Sequence, residues 1–507
     1  MLLRDGLEPE GHPRSCLIMV KGSQMARNPS SGSSVYRQII PTEGRVSERA
    51  TTYRPLHPQT HPKGQLDLDL GLQGGNRNGF RDPAFADNKA QPVHRWVPWI
   101  AGFSSQFVED CFDTFLKHKR RASRPHVLDP FAGVGTTLVR ALLSGFNTVG
   151  FEINPYAALA SKVKLNSPKI NLAKLEACCQ EYQKASVKRA CPAGTHKPAD
   201  FRSRIPFFSP HVEEQVLAFF GFLNSIPDPD IADIFRVTFG SVMVSFSNYT
   251  YEPSLGSRPG AGKPLIEDAD VYSTILAKLH EMIVDIRWVK VEIARLGSVG
   301  DGQIYNLDFM ESGSLLPAGS IDLMVTSPPY MNNYHYVRNT RPQLFWLSLI
   351  SSPKDLRQLE EANFGKYWQT VRDSEPLYLS FEHPALSRAL EELRETRREK
   401  GAYGGPGWAN YVTSYFNDCC RFLRTLKHAL IRGGVGVIVI GNSIIQGHEI
   451  KTDLIIGDIA QQVGLELEEV HCIRTKRVGA SITQSTVRRG QTNSSTLYES
   501  AVIVRKQ

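Results

Sequence analysis

The chain has 507 residues, more than one hydrophobic core usually supports, so it holds a large domain with insertions or several units. Its 41% hydrophobic and 22% charged residues exclude a wholly disordered or fibrous chain, and no apolar run approaches the ~20 residues that span a bilayer. The formal charge of +8 favours an anionic partner over a cationic one, although many enzymes are mildly basic.

Residues 1–92 are rich in Pro, Gly, Ser, Arg and Asn without a sustained period, and are expected to form a poorly ordered tail. The apolar run Cys16 to Val20 is too short for a signal sequence. The eight cysteines show no CxxC pair and no Cys/His group at zinc spacing. Neither Cys178-Cys179 nor Cys419-Cys420 can close an unstrained bridge, so reduced thiols, no bound metal and a cytoplasmic protein are expected.

From His94 onward the pattern becomes that of an α/β protein. A helix is expected over Ser105–Lys119, a strand ending in Val127-Leu128-Asp129-Pro130, a helix over Thr136–Ser144 and a strand over Thr148–Ile153. Residues 156–300 read as mainly helical, notably Val212–Leu223 and Val271–Leu296, with a Gly/Pro/Ser-rich loop at Ser247–Pro264. Strands return at Gln303–Leu307 and Ile321–Thr326, and a charged helical stretch over about 353–400 ends at glycines 401–407. Apolar positions from Val412 to Leu430 recur at helical spacing, and Gly433-Gly434 is expected to close that helix. A buried strand at Val435–Ile440, a helix at Asp453–Val463 and strands at Leu467–Ile473 and Ser500–Val504 follow. The expectation is a doubly wound, Rossmann-like sheet of about seven strands, with a helical insertion over 166–300 and a second over 350–407.

Two turns carry the chemistry. Asp129-Pro130-Phe131-Ala132-Gly133-Val134-Gly135-Thr136-Thr137 lies between the first strand and its helix. Glycines let that backbone approach a ligand closely, and the free N–H groups of the helix start can hold an anion. Seventeen residues after Gly135 stands Glu152, where a carboxylate can accept both hydroxyl protons of a ribose. A lone GxG would equally suit an ordinary strand–helix turn. Strand, helix and acid in register favour a nucleoside cofactor, and Thr136-Thr137 in place of a third glycine argues against a dinucleotide. The second turn is Thr326-Ser327-Pro328-Pro329-Tyr330, directly after an apolar strand. The prolines remove two N–H donors and fix the backbone. Ser327 Oγ and the Pro328 carbonyl could then accept the two hydrogens of an exocyclic amine, with Tyr330 stacked on a flipped base. A rigid proline turn with a packed tyrosine has the same sequence. Its place at a strand's carboxyl end favours the chemical reading, because ligands of open α/β sheets bind at that edge.

DPFAGVGTT with Glu152, followed by TSPPY, resembles the amino-methyltransferase family of DNA-modifying enzymes, over about 94–165, 302–346 and 408–507. The resemblance implies a methyltransferase sheet formed by 93–165 and 301–507, with S-adenosylmethionine as cofactor. Asp129, Phe131, Gly133, Gly135, Thr136 and Glu152 would bind it. Asp308 would take its adenine amine, with Phe309 by the ring and Phe103 in an N-terminal cofactor motif. Asp308 as a simple cap and Phe103 as a core aromatic are the plainer alternatives. The acceptor site would comprise Ser327, Pro328, Pro329 and Tyr330. A serine before the prolines is typical of cytosine-N4 enzymes, and Asp or Asn of adenine-N6 enzymes. The expected partner is double-stranded DNA with the target base flipped out, and a cognate restriction endonuclease is a candidate partner. Adenine-N6, a guanine amine in RNA, or a non-catalytic nucleic-acid-binding protein on this scaffold are the alternatives.

Arg474, Lys476, Arg477, Arg488 and Arg489, and the segment Ser247–Lys263, could contact phosphates or be solvated loops. Asn332, Asn333, Tyr334, His335 and Tyr336 could line a base pocket. Residues 166–300 are the first candidate for target recognition and 350–407 the second.

Overall fold

A computed structural model describes residues 80, 88–99, 102, 104–117, 123–188, 195–251, 254–297, 299–331, 335–476 and 497–507. Nearly all of the expected tail, Phe103, Asn332, Asn333, Tyr334, Arg477, Arg488 and Arg489 lie outside the described residues.

Eleven strands occur among these residues. In chain order they are β1 (His126–Asp129), β2 (Asn147–Phe151), β3 (Tyr249–Tyr251), β4 (Leu255–Ser257), β5 (Gly302–Tyr305) and β6 (Ile321–Thr326). Then come β7 (Leu430–Gly441), β8 (Ser443–Ile445), β9 (His448–Ile450), β10 (Glu466–Lys476) and β11 (Leu497–Arg505). Seven of them form one sheet in the order β10-β11-β7-β6-β1-β2-β5. The β5, β2, β1, β6 and β7 strands are parallel, and β11 runs antiparallel to both β7 and β10. This is the expected doubly wound sheet ending in a hairpin, with insertions between β2 and β5 and between β6 and β7.

Alternation along β7 explains why helices cover both faces. Val435, Val437 and Val439 point into a core with Phe107, Cys111 and Phe115 of the helix Ser105–Phe115. Ile438 and Ile440 face the opposite core, built with the helices Gly405–Ala429 and Thr452–Gln462. All six positions of β6 are buried, as expected for a central parallel strand.

Several boundaries differ from expectation. The Gly433-Gly434 pair does not close the preceding helix, which ends at Ala429 and passes directly into β7 at Leu430. Gly433 takes φ 73° inside the strand, where the β6–β7 register slips between Ile321 and Leu323. A Cβ on Gly434 would stand 3.0 Å from the Ile321 carbonyl oxygen, so close backbone approach at a bulge explains the pair. The segment 247–264 is a β3–β4 hairpin followed by a single 3₁₀ turn, and not a plain loop. The charged stretch is broken into helices Pro353–Ala362, Trp368–Val371 and Pro384–Glu395, the first started by a Ser352/Asp355 capping box.

The insertion contributes helices Leu172–Lys188, Pro210–Asn224, Pro229–Val242 and Val271–Leu296, which pack with Tyr156, Ala160 and Val163 of the sheet's own Pro155–Asn166 helix. Asp285, 1% exposed, fastens the N-terminal segment to the longest of these helices. Its carboxylate accepts from the Val93 N–H at 2.8 Å, Trp96 Nε1 at 2.8 Å and Arg95 Nη2 at 2.6 Å. An amide there keeps the shape but presents an NH₂ toward donors and leaves Arg95 unpaired. Asp285→Asn is therefore expected to lower stability by about 2 kcal/mol, read as a fall in the chemical-denaturation midpoint at unchanged slope. Among the described residues, no helix is long and apolar enough to cross a membrane.

Candidate active site

β1 and β6 are adjacent parallel strands, paired through Val127↔Leu323 and Leu128↔Met324. Their carboxyl ends therefore emerge side by side, and the glycine turn and the serine–diproline turn start as neighbours. A buried hydrogen bond joins them: Thr326 Oγ1 donates to Asp129 Oδ1 at 2.7 Å. Thr137, at the start of the helix Thr136–Leu143, adds a second link by donating to the Val325 carbonyl at 3.2 Å.

Both turns open into one shared cavity. Its lining includes Phe131, Gly133, Thr136 and Glu152 from the first two βα units, Asp308 and Phe309 after β5, and Ser327 and Pro329 after β6. Pro328 and Tyr330 are not part of the lining. Pro328 is buried beneath it. Tyr330 is packed behind the turn, its ring within 3.4 Å of where a Cβ on Gly441 would stand. Its hydroxyl is hydrogen-bonded to Ser327, and burial holds its pKa above the ordinary tyrosine value.

The glycine turn is fitted closely to its surroundings. Gly133 and Gly135 take φ 51° and 84°, a region that side chains with a Cβ avoid. A Cβ on Gly135 would lie 2.8 Å from Ser161 Oγ, and one on Gly133 would lie 3.2 Å from Trp99 Nε1. Ser161 Oγ in turn donates to the Gly133 carbonyl at 2.9 Å. Asp129 does not line the cavity; it accepts the Phe131 N–H at 3.1 Å and shapes the turn from beneath. Burial pushes its carboxyl up to about 6.

Glu152 stands just beyond β2, which ends at Phe151 and not at Ile153. Its Oε2 accepts the Gly133 N–H at 2.8 Å and its Oε1 the Asn154 N–H at 2.7 Å. Asn306 holds the adjoining backbone by donating to the carbonyls of Glu152 and Ile153 at 2.7 and 3.0 Å. A carboxylate has about four acceptor positions, so two remain for a ligand. Burial pushes the Glu152 carboxyl up to about 7, with the two backbone N–H bonds opposing that rise. Asp308 both lines the cavity and caps the following 3₁₀ turn, accepting the Met310 N–H at 2.9 Å. Burial raises its pKa as well.

Aromatic rings close the remaining walls. Phe309 meets Phe151 edge-on at 5.5 Å, and Phe131 meets Phe364 edge-on at 4.9 Å. Trp99 stacks on Tyr336 at 5.9 Å, both lining the cavity. Ala362, Asn363 and Phe364 were not singled out by the sequence, yet they reach this wall from the second insertion. Only the Asn-Phe-Gly-Lys turn chemistry near 363–366 hinted at a fixed loop there. His335 is half-buried and stacks on Tyr367 at 4.2 Å, with burial lowering its pKa, and it does not line the cavity. Arg474 belongs to β10 and is paired with Glu499 at 2.8 Å. The β3–β4 hairpin is tied to the segment carrying Tyr336: Tyr251 Oη donates to the Asn339 carbonyl at 3.1 Å, and the Leu255 N–H donates to Asn339 Oδ1 at 2.9 Å.

Comparison with known proteins places this geometry in context. No family model matches the chain. It is 23% identical over 436 residues to Type II methyltransferase M.BsoBI of Geobacillus stearothermophilus, covering 78% of this chain and 83% of that protein. It is 21% identical to Type II methyltransferase M.AvaI of Anabaena variabilis, covering 78% and 84% of the two chains. Type II methyltransferase M.MvaI of Kocuria varians is 22% identical, with 73% and 82% covered. Among solved structures, the rRNA methyltransferase AviRa of Streptomyces viridochromogenes aligns over 81% of this chain and 87% of its own, at 11% identity and a TM-score of 0.29, a likeness that carries no argument. Similar to these relatives over most of its length, and folded on the seven-stranded doubly wound sheet, the chain is a homologue of the Type II methyltransferases.

Proposed function

We propose that the chain transfers a methyl group from S-adenosylmethionine to the N4 amine of cytosine in double-stranded DNA. The observation that carries this reading is the single cavity shared by Gly133 and Glu152 on one side and Ser327 and Pro329 on the other. The cavity's chemistry fits the cofactor: free acceptor positions on Glu152 suit ribose hydroxyls, Asp308 suits an adenine amine, and Phe131 and Phe309 supply flat apolar walls. When bound, the cofactor provides an electrophilic methyl on a positively charged sulfur. Glu152 and Asp308 orient it, and the glycine turn admits it closely.

On the acceptor side, Ser327 Oγ, which lines the cavity, accepts an amine hydrogen. That bond helps draw the nitrogen lone pair out of conjugation with the ring, so the amine itself is the nucleophile. The nitrogen–methyl bond forms as the sulfur–methyl bond breaks, and the amine proton leaves to water afterward. Rate comes from alignment and from hydrogen bonding, with no covalent enzyme intermediate. Thr326 and Thr137 contribute by fixing the two turns to each other. The packing of Tyr330 behind the turn, against Gly441, favours a role in orienting Ser327 over stacking on the base.

Cytosine is favoured because serine precedes the two prolines. DNA is favoured by the net charge of +8 and by the names of the relatives, whose Type II designation points to a restriction–modification system with a cognate endonuclease. Residues 166–300 are assigned to target recognition, since the β3–β4 hairpin within them adjoins the cavity-lining segment through Asn339. The test is direct. The chain is incubated with S-adenosylmethionine and unmethylated DNA, and the product is digested to nucleosides and resolved by mass spectrometry. N4-methyldeoxycytidine is expected. N6-methyldeoxyadenosine would reassign the acceptor, and no methylated nucleoside on any DNA would overturn the enzyme.

A further inference from the structure

The serine–diproline turn does not stand free on its strand. The β6 strand ends at Thr326, so the carbonyls of the turn have no ladder partner. The Pro329 carbonyl nevertheless has one: Tyr415 Oη donates to it at 2.9 Å, from 86 residues away. Tyr415 is 1% exposed in the middle of the helix Gly405–Ala429, and a buried phenol requires such an acceptor.

The ring of the same tyrosine is packed against the other side of the cavity. A Cβ on Gly365 would lie 2.4 Å from Tyr415 Cδ2, and Gly365 takes φ 74° with Lys366 at 55°, so this turn has a fixed left-handed shape. The Gly365 N–H donates to Asp418 Oδ2 at 3.0 Å, one helical turn beyond Tyr415. Phe364 meets Tyr415 edge-on at 5.6 Å and Phe131 of the glycine turn at 4.9 Å. A continuous packed path thus runs from Pro329 through Tyr415 and Phe364 to Phe131.

We propose that Tyr415 is a positioning residue whose hydroxyl fixes the peptide after Pro329 and whose ring ties that peptide to the wall formed by Phe364. The proposal rests on the methyltransferase reading above. With the Pro329 carbonyl bonded to Tyr415, Ser327 Oγ is the acceptor of this turn that faces the cavity. Tyr415 touches neither substrate nor cofactor. It sets the angle at which the acceptor groups face the donor side.

Tyr415→Phe removes the hydroxyl and keeps the ring. It is expected to lower kcat by about 10- to 100-fold, the loss that follows misplacement of reacting groups by about 1 Å. Cofactor affinity by calorimetry should stay near wild type, because Phe131, Glu152 and the packed ring are retained, while the thermal midpoint should fall modestly because the Pro329 carbonyl loses its partner. Amide hydrogen exchange over 326–331 should quicken. If Tyr415→Phe folds poorly, Gly365→Ala serves instead: it keeps the hydroxyl but forces the ring to shift, and the same fall in kcat is expected. A kcat within about twofold of wild type, or a fall in kcat matched by equal losses in cofactor affinity and thermal midpoint, overturns the proposal. Failure of the wild-type chain to methylate any DNA is a separate result, and counts against the parent reading.

Discussion

Ser327→Ala is expected to lower the rate of methyl transfer by about 10²- to 10³-fold, the usual cost of removing one preorganised hydrogen-bonding group at the reacting centre. Affinity for S-adenosylmethionine should change little. The reason is the division of the cavity: the residues suited to the cofactor belong to the β1, β2 and β5 ends, whereas Ser327 follows β6. An amine bound beside alanine loses the side-chain acceptor that lines the cavity, and its lone pair stays largely delocalised into the ring. Single-turnover methylation with saturating cofactor separates this loss from weaker binding. A rate near wild type would remove Ser327 from the acceptor site and leave the proline turn a purely structural feature.

Alanine at 327 has a second consequence, since the Tyr330 hydroxyl loses its Ser327 partner. Burying an unpaired hydroxyl costs about 1–3 kcal/mol, so some fall in thermal stability is expected alongside the kinetic effect. The two are distinguishable because kcat at a temperature well below the transition does not depend on global stability.

The parts of this site that are local in sequence were legible from it. The glycine turn and the serine–diproline turn each sit at a strand end, and apolar runs such as Ile321–Thr326 announced those strands. The sequence placed the two turns at one edge of a sheet; their direct adjacency comes from the pairing of β1 with β6. What the sequence did not announce depends on long-range reach. Phe364 lies in a turn between two helices and Tyr415 in a helix whose periodicity reports only which face is buried; neither pattern tells that the one ring meets Phe131 or that the other's hydroxyl reaches the Pro329 carbonyl. Gly433-Gly434 matched the pattern of a helix stop, but its use is a bulge set by the neighbouring strand, which no local rule encodes. From sequence, Tyr330 could stack on a flipped base or pack within a rigid proline turn. Here Gly441, on the next strand, leaves a space that its ring fills.

Glu152→Gln is expected to weaken cofactor binding by about 10²-fold at pH 8, equivalent to about 2.7 kcal/mol. Each carboxylate oxygen already accepts a backbone N–H, from Gly133 and from Asn154. An amide can satisfy only one of these donors; its NH₂ must face the other, which distorts the glycine turn as well as removing an acceptor for the ribose. The pH dependence supplies an independent check. In the free protein the Glu152 carboxyl is held up at about 7 by burial. Ribose hydroxyls donate to the ionised form, so binding favours the carboxylate and lowers its pKa. Affinity should therefore be full above about pH 8 and decline as pH falls through 7, by up to about tenfold per unit. Folding stability runs the other way. The native carboxyl binds a proton more tightly than the unfolded one, whose ordinary value is 4.5, so its contribution is present at low pH and is lost as pH rises from about 4.5 to 7. Calorimetric titrations from pH 5.5 to 8.5 test the affinity statement, because the Gln variant should show weak affinity with a much flatter profile. A wild-type profile without a decline toward acid would mean that Glu152 does not meet the cofactor as a carboxylate, and the ribose assignment would fall with it.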